Sequence, residues 1–246
     1  MTTIRDELPL FPLRLVLFPS APLPLHIFEP RYRQMVADVL ASDRRFGVIL
    51  AHPEIDNTEN ISDTEPTSLE IAQIGTIAEI VDVTPYPDGR YDIMCTGRDR
   101  FAVLRTDTSR PYLRASVRLF PESSAWATAD ATENVVALIN EVQRALTHVL
   151  QRHIDASDST DTRRRYLDQV LGALPSHPGS LAFLASRLMP TASIRERQAL
   201  LSEDGTERRL RLVKAHLDRE ARIADQLGQL KSDPASDTDE RLISLN

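Results

Sequence analysis

The 246-residue chain carries 29 Lys and Arg against 36 Asp and Glu, a net charge of −7, with 41% hydrophobic residues and one cysteine. This is the composition of a globular chain with enough apolar residues for a core, and its negative balance counts against nucleic-acid binding by phosphate neutralisation. Cys95 alone permits no intrachain disulfide and no cysteine-based zinc site, and neither a leader pattern nor an unbroken apolar span is evident, so a cytoplasmic location and no membrane segment are expected.

The stretch from Leu8 to Tyr32 packs Pro9, Pro12, Pro19, Pro22, Pro24 and Pro30 among leucines, phenylalanines and His26. Each proline removes a backbone donor and fixes φ, so none suits a helix interior or a central strand. The expected form is a series of short strand pieces, each broken at a proline and pressed onto a core. From Glu29 the apolar residues Tyr32, Met35, Val36, Val39 and Leu40 share one helical face, and Pro30 sits where a first-turn proline is tolerated.

Arg45–His52 reads as a buried strand, and Pro53–Glu70, acidic and poor in apolar residues, as a surface loop. That loop lacks the glycine and the oxygen-ligand spacing of a calcium site. Ile71–Thr84 is rich in β-branched residues, with Gly75 expected at a bulge or bend. Asp88-Gly89 marks a hairpin turn, followed by strands at Tyr91–Thr96 and Phe101–Leu104 joined by a tight connection at Gly97–Phe101. Tyr112–Phe120 alternates, with Leu113, Ala115, Val117 and Leu119 on one face. Short strands at this spacing predict a small barrel or a strongly coiled sheet.

Pro121–Asp130 is a break in composition and reads as a linker, with Trp126 anchoring it. Asp130 with Glu133 resembles a capping box before the stripe Val135, Leu138, Ile139, Val142, Leu146, Val149 and Leu150. Further helices are predicted over Arg163–Leu174, Leu181–Leu188, from the Ser193/Glu196 capping box through Leu201, and Glu207–Leu230. The tail from Ser232 is polar.

Chemistry is hard to find. No glycine is followed by lysine, which removes a phosphate-cradling P-loop, and the glycines are too scattered for a dinucleotide fingerprint. A Ser–Lys dyad needs a desolvated lysine, whereas Lys214 lies among Arg211 and Asp218 on a charged helix. Cys95 beside Met94 reads as a buried, inert thiol. The histidines are dispersed; His26 is expected to bond a backbone group and lock the proline-rich turn. Glu203 and Asp204 read as surface charge at a helix end. No catalytic residue, metal ligand or cofactor is assigned.

Several motifs now combine: Leu8–Leu13 (LPLFPL), Val16–Pro19 (VLFP), Leu23–Tyr32 (LPLHIFEPRY), Phe46–Val48 (FGV) and Ile74–Glu79 (IGTIAE). Their order and spacing resemble the N-terminal substrate-binding domain of the Lon protease family. Gly97–Phe101 is similar to that family's later glycine-arginine-phenylalanine turn, and Leu181–Ala185, Glu196–Leu201 and the Arg209-Leu210 helix follow its helical half. Ser20 stands where the family often has glycine. The resemblance implies an α+β fold, a PUA-like small β-barrel over 1–124 followed by an all-α helical bundle over 125–231 and a polar tail over 232–246. It also implies the substrate-binding half of Lon without the ATPase and Ser–Lys protease parts.

The function so implied is a non-catalytic polypeptide-binding module, an adaptor, holdase-like or substrate-recognition factor in protein quality control. Its expected partners are unfolded or extended polypeptides and a full-length Lon protease. The candidate contacts are Phe18, Pro19, Pro22, Leu23, Pro24, Ile27 and Phe28, with core packing the expected role of Ile27 and Phe28. The alternative is a PUA-like barrel that binds a small molecule or RNA, against which the net charge speaks. The last helix, with its apolar stripe, either closes its own bundle or pairs with another chain.

Overall fold

The computed structural model describes residues 3–51, 70–120, 133–156, 165 and 169–232. The expectations for the acidic loop, the linker with Trp126, the Asp130 cap, part of the Arg163–Leu174 helix and the tail lie outside these residues, while 169–172 are helical as expected. The described elements are β1 (Thr3–Leu13), β2 (Pro22–Ile27), α1 (Pro30–Leu40), β3 (Arg45–Leu50), β4 (Ile74–Pro85), β5 (Tyr91–Asp107) and β6 (Arg114–Phe120), then α2 (Glu133–Ala156), α3 (Pro178–Leu188), α4 (Ile194–Ser202) and α5 (Thr206–Ser232).

The strand order is β2-β5-β4-β3-β1-β6, and β6 pairs again with β5. That second pairing closes β1, β3, β4, β5 and β6 into a barrel, leaving β2 as an added strand. β1 lies parallel to β3 and antiparallel to β6. The fold is α+β, a barrel followed by helices.

Three sequence expectations change. First, β1 is not broken at its prolines. It runs unbroken through Pro9 and Pro12 because the two neighbours take turns: β6 pairs up to Pro9 and β3 pairs from Leu10 onward. Each proline therefore has a ladder on one side only, where a missing donor is tolerated. Second, Gly97–Phe101 is not a connection but the middle of β5. Here β5 passes from β2, paired through Thr96, to β6, paired from Arg100. Gly97 is required because a Cβ there would lie 2.2 Å from the Phe18 carbonyl oxygen. Third, Gly75 marks close packing rather than a bulge; the bulges fall at Thr76/Ala78 and Ile80/Asp82. A Cβ on Gly75 would sit 2.5 Å from the Phe101 ring, which fills the barrel beside Leu8, Leu10, Ile49 and Val117.

The hairpin between β4 and β5 uses Gly89 alone at positive φ (82°), with the Gly89 N–H donating to the Tyr86 carbonyl at 2.9 Å. In α1, Pro30 opens the helix and Tyr32, Met35, Val36 and Val39 are buried. The stripe on α2 buries Ile139, Val142, Leu146, Val149 and Leu150, and α4 opens with the full Ser193/Glu196 capping box.

Barrel and helices share one core that runs from Phe11 and Met35 through Phe18 to Phe183 and Leu217. Phe18 lies 6.2 Å from Phe183, centroid to centroid. Arg100, 4% exposed, reaches from β5 to donate to the Leu201 and Glu203 carbonyls at 2.8 and 3.0 Å, the C-terminal end of α4. Cationic donors suit that end of a helix, where carbonyls lack intrahelical partners. Gln198 Nε2 donates back to the Ile74 carbonyl of β4 at 2.9 Å, and Arg209 lies over Phe183 at 4.2 Å. Asp204 is a surface charge as expected, its side chain 80% exposed, whereas Glu203 is largely covered and accepts from the Gly205 N–H at 3.0 Å.

Candidate functional site

β2 alternates cleanly. Leu23 and Ile27 are buried, at 7% and 2% exposure, while Pro22, Pro24 and His26 face outward. Its register on β5 is Leu23 to Cys95, Pro24 to Met94, Leu25 to Ile93 and His26 to Asp92. A proline cannot complete a two-way pair, so Leu23, Leu25 and Ile27 make the ladder bonds. The outward-directed backbone positions are then Pro22, Pro24 and His26, and two of these have no N–H. The free edge of β2 is blunted as a template for another strand.

The seven candidate contacts separate on this alternation. Phe18 is 1% exposed and packed toward Phe183 at the junction with the helices, and Pro19 is buried. Leu23 and Ile27 face the core. Pro22, Pro24 and Phe28 face solvent. Core packing was the expectation for Phe28, and it is corrected: the ring is 60% exposed, because β2 ends at Ile27 and the chain turns into α1 with Phe28 on the outer side.

Phe28 is not isolated. It stacks with His26 at 6.1 Å between centroids, and Tyr86 meets His26 edge-on at 6.1 Å. Asp92 joins them: its Oδ1 lies 2.6 Å from His26 Nδ1, and its Oδ2 accepts from the Tyr86 hydroxyl at 2.5 Å. His26 thus bonds a carboxylate on β5, not a backbone group. The Tyr86 hydroxyl first, then His26, holds the Asp92 carboxyl below its ordinary range, and the same bond pushes the Tyr86 hydroxyl up. Directly across from Pro24 lies Met94, itself exposed, and beyond Met94 lies Asp82 on β4. The outer face of β2, β5 and β4 therefore carries an apolar and aromatic patch, with Phe28, Met94, Pro24 and Tyr86 as its main surfaces.

Tyr86, Asp92, Met94 and Asp82 were not among the sequence candidates. The alternation Asp92, Ile93, Met94, Cys95 marks two of them as outward-facing, but only the register of β2 on β5 brings them beside the proline-rich stretch.

The two groups weighed in the sequence as nucleophiles, Cys95 and Lys214, are accounted for. Cys95 is fully buried, and burial pushes its thiol up to about 12. Lys214 pairs with Asp218 at 2.7 Å on the helix surface. Among the described residues no group of three or more His, Cys, Asp or Glu is placed to hold a metal ion, and no helix is long and apolar enough to cross a membrane.

The family model of the ATP-dependent protease La (LON) substrate-binding domain matches residues 7–219. The chain belongs to this family. Among similar proteins, Lon protease 2 of Sorangium cellulosum is 28% identical over 232 residues, 89% of this chain and 25% of the relative. Lon protease of Desulfovibrio desulfuricans is 30% identical over 236 residues, 94% of this chain and 24% of the relative. The Lon-type chain thus spans about a quarter of the length of these curated relatives. A crystal structure of a Lon N-terminal domain protein from Xanthomonas campestris superposes with a TM-score of 0.58 at 25% identity, covering 87% of this chain and 98% of that one. The N-terminal domain of Mycobacterium avium complex Lon protease, 18% identical with a TM-score of 0.60, shares the fold.

Proposed function

We propose that this Lon-type domain is a non-catalytic binding module for unfolded or extended polypeptides, and that the outer face of β2, β5 and β4 is where it holds them. The observation that carries the reading is Phe28, a large apolar ring 60% exposed within a patch that includes Met94 and Tyr86. Contiguous exposed apolar surface of this kind marks interaction sites. Family membership supports substrate polypeptides as the ligand class. An adaptor role in protein quality control, alongside a full-length Lon protease in the cytoplasm, goes with it. The absence of catalysis is supported by the chemistry available: the thiol is buried and Lys214 is paired on the surface.

The test is fluorescence anisotropy with a labelled, permanently unfolded polypeptide such as a reduced and carboxymethylated secreted protein. Phe28→Ser and Met94→Ser should each weaken binding about five- to thirty-fold, the effect of losing a well-covered apolar side chain. Leu212→Ser, an apolar site on α5 with exposure between those of Phe28 and Met94, is the control and should bind as wild type. Undiminished binding by folded Phe28→Ser and Met94→Ser variants overturns the site. Salt-dependent retention on RNA with no affinity for the unfolded polypeptide overturns the function.

A further inference from the structure

The patch has a charge signature as well as an apolar one. Cross-strand pairing sets two rows on its face: Pro24, Met94 and Asp82, then His26, Asp92 and Thr84. Each row ends or centres on a carboxylate. Among the described residues neither carboxylate has an arginine or lysine partner. Asp82 accepts only the Val83 N–H, at 2.9 Å, and Asp92 accepts from Tyr86 and contacts His26. The neighbouring arginines form their ion pairs elsewhere, Arg90 with Asp88 at 2.7 Å and Arg31 with Glu29 at 2.9 Å, although the Arg90 charge also reaches Asp92 through space, which leaves Asp82 the less compensated of the two. The rings beside them also favour cations. Arg90 already lies 5.5 Å over the Tyr86 ring, and the outer face of Phe28 is open.

Resting on the polypeptide-binding reading above, we infer that the segments this face takes are apolar stretches carrying a lysine or arginine. The apolar residues cover Phe28, Met94 and Pro24. The basic side chain reaches the carboxylates of Asp82 and Asp92, with the aromatic rings along its path. Acidic segments are turned away by the same two charges, which makes the face selective as well as sticky.

The experiment uses the full chain and three labelled peptides that share one apolar sequence and differ at a central residue: Arg, Gln or Glu. At low salt the affinities should fall in that order and span about tenfold, since each exposed charge pair contributes roughly two- to fivefold. At about 0.5 M salt, where the Debye length shrinks to a few ångström, the span should collapse while the Gln peptide binds as before. Asp82→Asn keeps an oxygen for the Val83 N–H and removes only the charge. It should cut the Arg-to-Gln ratio about threefold and leave the Gln peptide unchanged; Asp82→Asn with Asp92→Asn should bring the ratio near one. Equal binding of the Arg and Gln peptides, or an unchanged ratio in Asp82→Asn, overturns the charge preference alone. Failure of all three peptides to bind overturns the polypeptide-binding reading beneath it.

Discussion

Arg100→Met tests how the barrel is fastened to the helices. The guanidinium is buried and donates to two carbonyls at the end of α4, Leu201 at 2.8 Å and Glu203 at 3.0 Å. Methionine keeps a flexible apolar stem of similar reach but gives up the guanidinium's place 5.5 Å over the Phe120 ring and 5.7 Å over the Phe183 ring. The Glu203 carbonyl still receives Arg209 Nη2, but the Leu201 carbonyl loses its donor from Arg100 in a buried setting. A hydrogen bond from a charged donor contributes about 1.5–3 kcal/mol, and an orphaned buried acceptor costs about 1–3 kcal/mol, so the net loss should be about 2–4 kcal/mol. For a domain of this size each kcal/mol moves Tm by about 2–4 °C, which gives a fall of roughly 4–16 °C. Thermal unfolding followed by circular dichroism measures it. Because barrel and helices share one core, the transition should remain single and simply move down. A fall of less than about 2 °C would show that the carbonyls regain solvent freely and would refute the reasoning.

Ser20 holds φ at 62° while its side chain faces solvent, so Ser20→Gly should stabilise the fold by about 1 kcal/mol in urea unfolding, through relief of left-handed strain. Glu196 is held at about 2, chiefly by its bond from Arg219 and then by Ser193. Its folded-state value lies below the roughly 4.3 of an unfolded glutamate, so its contribution is present above that pH and lost as pH falls toward 2. The carboxylate is more than a third exposed, which screens the effect. Glu196→Gln preserves the capping box, and its urea midpoint should sit below that of wild type at neutral pH and converge with it near pH 2. Cys95, with its thiol pushed up to about 12 by burial, should resist a maleimide at pH 8 in the native protein and react fully in denaturant. Rapid native labelling would contradict its burial.

What the sequence made legible were features with a strict period or a local chemistry. The alternation at Ala115 and Val117, the α2 stripe, the Ser193/Glu196 box and the buried Cys95 all stand as read. What it hid depended on partners distant in the chain. Pro9 and Pro12 looked like strand breaks because their tolerance comes from β1 changing neighbours between β6 and β3. Gly97 looked like a turn because the constraint on it is the Phe18 carbonyl, whose position no local pattern specifies. The candidate site was half visible for the same reason. The proline-rich stretch drew attention to Phe28 and Pro24, but Asp92 and Tyr86 belong to a hairpin more than fifty residues on, and only strand register sets them beside His26.

The missing N–H groups at Pro22 and Pro24 have a kinetic consequence. A chain added edge-on to a sheet must break a ladder of main-chain bonds before it leaves, and that ladder lengthens its stay. Along β2 two of the three outward N–H donors are missing while the carbonyls remain, so the edge offers only part of that ladder. A chain taken up on the adjoining face, as proposed above, would rely chiefly on its side chains, and its residence time would follow the apolar surface it covers.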